Sequence, residues 1–166
     1  MNQNSFAGFE VKDRGVQGYL EIQAEMRAFT ESRDQNTGDQ LWLLEHPAVY
    51  TQGTACKEQT IGPSSIPVVK SDRGGQITYH GAGQLIVYCL IDLRRRGFGV
   101  KTLVNTIEKG LIDYLSSFGL AAVRQEGAPG VYIDDDKIAA LGLRVRKGCS
   151  YHGLSLNVDM ELAPFE

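Results

Sequence analysis

The sequence predicts an α+β fold in which a mixed or antiparallel sheet packs against two main helices. Two observations support this class: the expected strands outnumber the helices, and the two do not alternate in the regular order of a parallel βαβ protein. The chain has 166 residues with no internal repeat, low-complexity tract or dividing linker. Residues 1–166 are therefore expected to form a single domain.

The first half of the chain is expected to contain one helix among short strands. A helix is predicted at Leu20–Arg33 because three apolar residues recur at the helical period and share one face. Proline favours an extended or turning chain, so His46-Pro47 separates two short strands. In order, the elements are a strand at Phe9–Asp13, the helix with Ile22, Met26 and Phe29 on its apolar face, strands at Leu41–Glu45 and Val49–Gln52, a loop at Gly53–Pro67 and a strand at Val68–Lys70.

The second half contains the longer predicted helix, Val100–Phe118. Its apolar residues follow the 3.6-residue period, and Gly119 stands where a helix C-terminus favours glycine. The stretch Leu85–Leu93 is predicted to be a strand because it is rich in β-branched and aromatic residues. The remaining expected elements are strands at Val131–Ile133 and Ile138–Val145, joined by the turn Asp134-Asp135-Asp136, and a strand at Ser150–Val158.

Composition and charge exclude several classes of protein. A net charge of −3 argues against non-specific nucleic-acid binding. The N-terminus lacks the basic start and apolar run of a targeting signal, and the longest apolar stretch, Leu85–Leu93, is too short to span a bilayer. The three cysteines are odd in number and far apart, which disfavours a disulfide framework or a Cys-rich zinc site. A cytoplasmic protein without nucleic-acid or membrane partners is expected.

The segment Ser71–Gln84 is the most informative stretch of the sequence. It packs four glycines with Arg73, Thr78 and His80 into fourteen residues between two expected strands. One interpretation is a glycine-rich connection whose polar residues face water. The other is a binding loop in which main-chain N–H groups approach a ligand closely while the three side chains supply polar contacts. The glycine spacing fits neither a P-loop nor a dinucleotide fingerprint.

Ordered motifs along most of the chain resemble the signature of the lipoyl(octanoyl) transferases. The similarity extends from the first predicted helix to the end of the sequence. The matching motifs are Glu45-His46-Pro47, Tyr50-Thr51-Gln52-Gly53, Arg73-Gly74-Gly75, Thr78-Tyr79-His80, Gly83-Gln84, Tyr88, Ala128-Pro129-Gly130-Val131-Tyr132, Lys137-Ile138-Ala139, Leu141-Gly142-Leu143-Arg144 and Gly148-Cys149-Ser150-Tyr151-His152-Gly153.

The resemblance implies a fold, a reaction and partners. The fold is expected to be similar to the catalytic fold of biotin and lipoate protein ligases. The implied activity is that of an acyltransferase of lipoate biosynthesis, which moves an octanoyl or lipoyl group from the thioester of acyl carrier protein through an acyl-cysteine. The implied acceptors are lysines of the lipoyl domains of 2-oxo acid dehydrogenases and of the glycine cleavage H protein. No ATP, metal or other cofactor is implied, because the donor is already an activated thioester.

The resemblance also implies which residues act. Lys137 matches the lysine that lowers the pKa of the nucleophilic cysteine. Lys137 could alternatively be a solvated turn residue paired with the preceding aspartates, which would raise its pKa. The catalytic role therefore requires those three acids to face water while Lys137 points into the sheet. The implied substrate-binding residues are Arg73, Gly74, Gly75, Gln76, Ile77, Thr78, Tyr79, His80, Ala140, Leu141, Gly142, Gly153, Leu154 and Ser155.

The nucleophile of the family lies in an Asn-Pro-Cys-Gly segment, and this sequence ends at Glu166 before such a segment. The chain is therefore expected to be C-terminally incomplete and unable to form the acyl-enzyme. Cys149 and His152 are three residues apart, so in a regular strand they would point to opposite faces. Cys56, Cys89 and Cys149 are not expected to replace the family cysteine.

Two other functions stay open at the level of the sequence. An ATP-dependent lipoate or biotin protein ligase shares the fold, although the segment after Arg73 has the transferase form. A non-catalytic acyl-binding fragment is compatible with the missing cysteine. Two basic clusters, Arg94-Arg95-Arg96 with Lys101 and Arg144 with Arg146 and Lys147, are either solvated faces or a docking surface for the acidic carrier protein.

Overall fold

A computed structural model describes residues 4–6, 8–57 and 65–165 of the chain. An eight-stranded sheet has the strand order β1-β2-β3-β7-β11-β10-β9-β8, and a second sheet of three strands has the order β5-β4-β6. The large sheet is built from β1 (Asn4–Phe6), β2 (Phe9–Val16), β3 (Asp39–Glu45), β7 (Gln84–Leu90), β8 (Ala122–Gln125), β9 (Ala128–Ile133), β10 (Asp136–Arg146) and β11 (Cys149–Asn157). The small sheet is built from β4 (Val49–Gln52), β5 (Val68–Lys70) and β6 (Ile77–His80).

Both sheets are mixed. Strand β2 pairs with β3 in parallel and β4 pairs with β5 in parallel, whereas the other pairings are antiparallel. The helices are α1 (Tyr19–Ser32), α2 (Leu93–Arg96), α3 (Val100–Ser116) and a 3₁₀ turn at Ala163–Phe165. The expected α+β class with two main helices is confirmed.

Each face of the large sheet buries a hydrophobic layer under one main helix. Helix α1 contributes Ile22 and Met26, which are 1% and 0% exposed, to a layer with Trp42 and Tyr151 of the sheet. Helix α3 covers the other face through Leu103, Leu111 and Leu115. The small sheet lies on the α1 side, where Tyr19 stacks on His80 of β6 with ring centroids 5.9 Å apart.

Most predicted elements are present, and the differences have local reasons. Both helices begin and end within two residues of their predicted bounds. The predicted strand Leu85–Leu93 ends at Leu90, because the Asp92 side chain accepts hydrogen bonds from Arg94 N and Arg95 N and thereby starts α2. Strands β6 and β8 and helix α2 were not predicted; each has only four residues, too few for a periodic pattern.

Part of the loop predicted at Gly53–Pro67 lies outside the described residues. The prediction of one domain over residues 1–166 stays a prediction. Among the described residues, no helix is both long enough and apolar enough to cross a bilayer.

Candidate active site

The candidate site lies on the α1 face of the large sheet, where a β-bulge determines which residues of β10 point toward it. Residues Ala139 and Val131 pair across β9 and β10 and lie in the layer under α3. The neighbouring pair is Lys137 with Tyr132. Tyr132 directly follows Val131 on β9, whereas Lys137 lies two residues before Ala139 on β10, so β10 has one extra residue here. Because neighbouring strand residues point to opposite faces, the bulge turns Lys137 to the same face as Ala140 and Gly142.

Arg73 binds the chain's own backbone and forms the centre of the loop between β5 and β6. Its guanidinium donates to Thr51 Oγ1 at 3.0 Å, Thr51 O at 2.6 Å, Gly74 O at 2.9 Å and Gln76 O at 2.7 Å. The side chain is buried and has no carboxylate partner within the described part of the chain. Burial lowers the pKa of Arg73, yet an arginine stays charged at neutral pH. The loop therefore carries a buried positive charge.

Three glycines allow the Arg73 loop to lie directly on its neighbours. The N–H of Gly74 donates to Leu143 O of β10 at 3.1 Å. A Cβ on Gly142 would lie 3.0 Å from Gly74 O, and one on Gly53 would lie 2.3 Å from Gly75 O. Larger residues would separate the loop from both sheets, so these positions require close backbone approach.

A buried chain of hydrogen bonds runs from Arg73 through β4 and β6 to β11. The Nδ1 atom of His80 is 2.7 Å from Gln84 Oε1, which fixes Nδ1 as the donor and leaves Nε2 as an acceptor, 3.3 Å from Thr51 Oγ1. The amide of Gln84 in turn donates to Asn157 Oδ1 at 2.9 Å. Burial lowers the pKa of His80 to about 3, so this imidazole is neutral at physiological pH.

Asp72 connects the loop to α1 and to β11. Its carboxylate accepts hydrogen bonds from Tyr151 Oη, from His152 Nε2 at 2.8 Å and from Gln23 Nε2 at 3.1 Å, and it pairs with Arg27 at 3.0 Å. Burial alone would raise the pKa of Asp72, but the bonds from His152 and Tyr151 outweigh it and lower the pKa well below its usual value. The carboxylate is therefore ionised.

A positive φ at His152 explains how Tyr151 and His152 reach the same carboxylate. Consecutive strand residues normally point to opposite faces, but His152 has a positive φ of 58°, which places its ring stacked on Tyr151 with centroids 5.0 Å apart. A Cβ on the following residue, Gly153, would lie 2.0 Å from Val87 O of β7. The close approach of β7 therefore makes glycine necessary at position 153.

Three histidines and three tyrosines form an aromatic cluster between α1 and the sheets. His46 Nδ1 donates to Gln17 O at 2.7 Å, so His46 Nε2 accepts from Tyr88 Oη at 2.7 Å. Burial lowers the pKa of His46 and of His152. The Nδ1 atom of His152 is buried without a hydrogen-bond partner among the described residues. The interior of the site is accordingly neutral apart from Arg73 and Asp72.

Lys137 lies at the far end of β10 from Arg73. Its Nζ atom donates to Pro129 O at 3.2 Å and lies 5.2 Å from the centre of the Tyr132 ring. The three preceding aspartates are exposed, as the catalytic interpretation requires, but Lys137 is exposed as well rather than buried in the sheet. Five residues of strand separate Lys137 from Gly142, a distance of roughly 17 Å. Lys137 and the Arg73 loop thus share one face without contacting each other.

The structure brings together part of the predicted binding set. Ala140 and Gly142 of β10 and Ser155 of β11 lie on the α1 face of the sheet, which carries the site. Leu154 packs in the layer under α3, and its pairing partner Leu141 points to the same side. On β6, Thr78 and His80 point inward, while Tyr79 packs outward against Tyr50 and Phe165. Alternation along a strand explains why only every second residue of each predicted run faces the site. Gly75, Gln76 and Ile77 lie in or directly after the Arg73 loop.

The three cysteines lie away from these groups. Cys89 is 3% exposed, and burial raises the pKa of its thiol to about 12. Cys149 is 1% exposed, and its Sγ atom lies 4.0 Å from an Arg94 nitrogen, whereas His152 binds Asp72. Cys56 is partly exposed in the loop after β4.

Several residues of the site were not predicted as such. Thr51, Asp72, Gln84 and His152 carry its polar network, and all four stand within or beside the motifs that signal the site in the sequence. Their long-range partners, such as Asp72 with His152, cannot be inferred from spacing. The described residues contain no group of three or more His, Cys, Asp or Glu side chains placed to hold a metal ion.

The two basic clusters are largely engaged in ion pairs. Asp39, 2% exposed, binds Arg33 at 2.6 Å, Arg95 at 2.7 Å and Arg96 at 2.8 Å. Arg146 pairs with Glu31 at 3.0 Å. The side chain of Arg94 stays 67% exposed beside the β10–β11 hairpin.

Comparisons with known proteins agree with the fold and the motifs. Residues 18–166 match the family model described as the lipoyl protein ligase A/B catalytic domain. An octanoyltransferase of Pseudomonas putida (strain W619) is 56% identical over 155 residues, which are 93% of this chain and 72% of that protein.

Solved structures with the same fold include two lipoate protein ligases. A bipartite lipoate protein ligase from Thermoplasma acidophilum, described together with its E2 lipoyl domain, superposes with a TM-score of 0.67 at 18% identity, covering 92% of this chain and 64% of that one. Lipoate-protein ligase A bound with ATP gives a TM-score of 0.67 at 15% identity, covering 92% and 69%. At these identities the likeness concerns the fold alone.

Proposed function

Because this chain belongs to the lipoyl protein ligase A/B catalytic domain family and its octanoyltransferase relatives reach 56% identity, its function is octanoyl transfer in lipoate biosynthesis, and we propose the donor, the acceptor and the residues involved. The donor is the octanoyl thioester of acyl carrier protein. The acceptor is a lysine of a lipoyl domain, as in 2-oxo acid dehydrogenases and the glycine cleavage H protein. Both partners are cytoplasmic, and three unpaired cysteines suit that reducing compartment.

One observation carries the proposed site: the bulge in β10 turns Lys137 to the same face as Ala140 and Gly142. An acyl chain lying along β10 would have its carbonyl beside Lys137 and its hydrocarbon tail directed past Ala140 toward the Arg73 loop. Each buried methylene contributes about 0.8 kcal/mol, so seven would contribute about 5 kcal/mol before ordering costs. Lys137 would lower the pKa of a cysteine thiol that receives the octanoyl group.

Filling the site face should block the acyl group. Ala140→Leu adds three carbons on the face beside Gly142 and is expected to weaken binding of octanoyl-carrier protein about tenfold. Ala140→Ser adds only a hydroxyl and should change binding less than twofold. The measurement is the dissociation constant of octanoyl-carrier protein, with acetyl-carrier protein as the matched short donor. Equal binding by both variants would contradict an acyl path along β10.

We propose that none of the three cysteines in residues 1–166 is the nucleophile. Cys89 and Cys149 are buried, and Cys56 lies outside the face that carries Lys137. Incubation of the 166-residue chain with octanoyl-carrier protein should therefore leave its intact mass unchanged. A hydroxylamine-labile octanoyl adduct on Cys149 would overturn this assignment, and ATP-dependent transfer of free octanoate would instead indicate a ligase.

A further inference from the structure

Glu108 is a buried carboxylate of helix α3 that bonds to the main chain of β9. It is 5% exposed, and acidic side chains are almost never fully buried unless they are paired. Its Oε1 atom accepts a hydrogen bond from Gly130 N at 3.0 Å, and its Oε2 atom lies 2.9 Å from Arg124 Nε. The side chain of Arg124 is 44% exposed and could follow the carboxylate into solvent, so the ion pair alone does not require Glu108 to be buried.

One peptide group connects Glu108 with Lys137. Gly130 N, which donates to Glu108, and Pro129 O, which accepts from Lys137 Nζ at 3.2 Å, belong to the same peptide bond. A trans peptide is planar and points its N–H and its C=O in opposite directions. The carboxylate that holds the N–H therefore also fixes the direction of the carbonyl that binds the lysine.

The backbone at position 130 would otherwise leave this peptide group free to turn. Gly130 has a φ of 138°, and a Cβ there would lie 2.7 Å from Ala139 O and 3.2 Å from Lys137 Cε. Glycine is therefore necessary for the lysine stem to cross β9, although glycine leaves the backbone the greatest conformational freedom. The register of β8 and β9 also shifts at this point, so regular sheet pairing does not continue through Gly130. Glu108 supplies a fixed acceptor where that pairing is interrupted.

Fixing this carbonyl matters because Lys137 is exposed. A lysine side chain has many rotamers, and holding its amine at one position costs conformational entropy. The amine contacts Pro129 O and lies 5.2 Å from the centre of the Tyr132 ring. Hydrogen bonds in a chain polarise one another, so the bond from Gly130 N to a carboxylate makes the carbonyl of the same peptide group a stronger acceptor for the amine.

We propose that Glu108 is a positioning residue for octanoyl transfer, because it holds the Lys137 amine in place through the peptide group between Pro129 and Gly130. The inference rests on the proposed function, which assigns Lys137 its catalytic role. Glu108 belongs to α3, on the opposite side of the sheet from the proposed acyl path. Its effect therefore reaches the site through the main chain of β9 and not through contact with the substrate.

The position of Lys137 can be measured without catalysis. Reductive methylation with carbon-13 formaldehyde gives each lysine a dimethylammonium NMR signal and leaves the amine one N–H to donate. The Tyr132 ring should displace the Lys137 signal upfield, and Lys137→Arg assigns that signal by its loss. Lys109, an exposed lysine of α3 that pairs with Asp113, supplies the reference signal.

Two conservative variants separate the contact with Gly130 from the charge of the carboxylate. Glu108→Gln keeps an acceptor oxygen at the same reach and loses the charge, so the Lys137 signal should keep most of its upfield displacement. Glu108→Asp keeps the charge but is one methylene shorter, so most of the displacement should be lost. Arg124→Gln removes the ion pair alone and should leave the signal in place. Urea unfolding of each variant verifies that it is folded.

The outcomes separate this inference from the proposed function. A Lys137 signal without displacement in the wild type, or displacement retained in Glu108→Asp, would overturn the positioning role while octanoyl transfer stands. Equal losses in Glu108→Asp, Glu108→Gln and Arg124→Gln would also overturn it, because they would show that Glu108 serves only the ion pair. Failure of calorimetry to detect binding of octanoyl-carrier protein to the wild-type chain would instead sink the proposed function, and the catalytic meaning of the Glu108 contact with it.

Discussion

The surroundings of His80 change its chemistry strongly. It is 6% exposed, bonded to Gln84 and Thr51, and its pKa falls to about 3. The unfolded chain would hold His80 near pKa 6.5, so between about pH 6.5 and 3 the unfolded state binds more protons than the folded state. The stabilisation from a neutral His80 is complete above pH 6.5 and is lost as the pH falls.

Acidification should therefore destabilise the protein before its carboxylates titrate. Below pH 6.5 we expect the free energy of unfolding to fall by up to about 1.4 kcal/mol per pH unit for each buried histidine that stays neutral. Urea unfolding at pH 7.5, 6 and 5 measures this slope. His80→Gln should reduce the slope even if it lowers stability at every pH. An unchanged slope in that variant would show that His80 is protonated in the folded protein.

At the level of single residues, the sequence identifies the right segments but not the roles within them. Arg73 was expected to supply a donor to a polar head group, and in the structure it donates to three backbone carbonyls and to Thr51. The partners of Arg73 come from β4 and from its own loop, and spacing along the chain carries no information on such contacts. Asp72 was not singled out for the same reason.

Among the secondary-structure elements, β11 depends most on a missing side chain. Gly153→Ala would place a Cβ 2.0 Å from the carbonyl oxygen of Val87, which belongs to a central strand that cannot easily move. We expect a loss of at least about 2–3 kcal/mol in the free energy of unfolding. Chemical denaturation followed by circular dichroism measures the change.

Helix α3 offers the matched control. A Cβ on Gly110 meets nothing within 4 Å, and Gly110 lies inside the helix. Gly110→Ala should therefore stabilise the protein by about 0.5–1 kcal/mol through helix propensity. If both alanine variants shift stability in the same direction, the close approach of β7 and β11 is not what makes glycine necessary at position 153.

The two helices with a sustained period and the short strands β4 and β5 were predicted, whereas the short elements β1, β6, β8 and α2 were not. Helices α1 and α3 show a clear 3.6-residue repeat, and their bounds were found to within two residues. Strand β8 has four residues of mixed character. The bulge in β10 and the positive φ of His152 in β11 interrupt the alternation on which strand prediction depends. The face on which Lys137 lies could therefore not be predicted from the sequence.

For the whole molecule, Asp39 joins distant parts of the chain. The carboxylate on β3 binds Arg33 after α1 and Arg95 and Arg96 of α2, and it accepts the N–H of Asp92 at 2.9 Å. Burial would raise the pKa of Asp39, but these hydrogen bonds outweigh it and lower the pKa. One buried anion thus holds three guanidinium groups in place.

Removing that anion should destabilise the fold strongly. Asp39→Asn leaves three arginines without their shared carboxylate, and we expect a loss of about 3–5 kcal/mol in the free energy of unfolding. The control is Asp113→Asn, which breaks an exposed pair with Lys109 and should cost less than about 0.5 kcal/mol. Comparable losses in the two variants, measured by thermal and urea unfolding, would contradict a central role for Asp39.

The global class and the general function were accessible from the sequence because many short motifs occur in the order typical of one family. The separation of Val49–Gln52 and Val68–Lys70 into a second sheet could not be predicted, because strands that are neighbours along the chain give no sign of which sheet they join.

The bulge in β10 has a bearing on insertions and deletions. Deleting Ile138, the residue without a pairing partner on β9, would restore uninterrupted pairing and rotate Lys137 through half a turn onto the side covered by α3. This deletion would keep all other residues of the site. Under the proposed function, the spacing between Lys137 and Gly142 matters as much as the two residues themselves. Variants with an insertion or deletion in this stretch are therefore expected to lose octanoyl transfer even when both residues are kept.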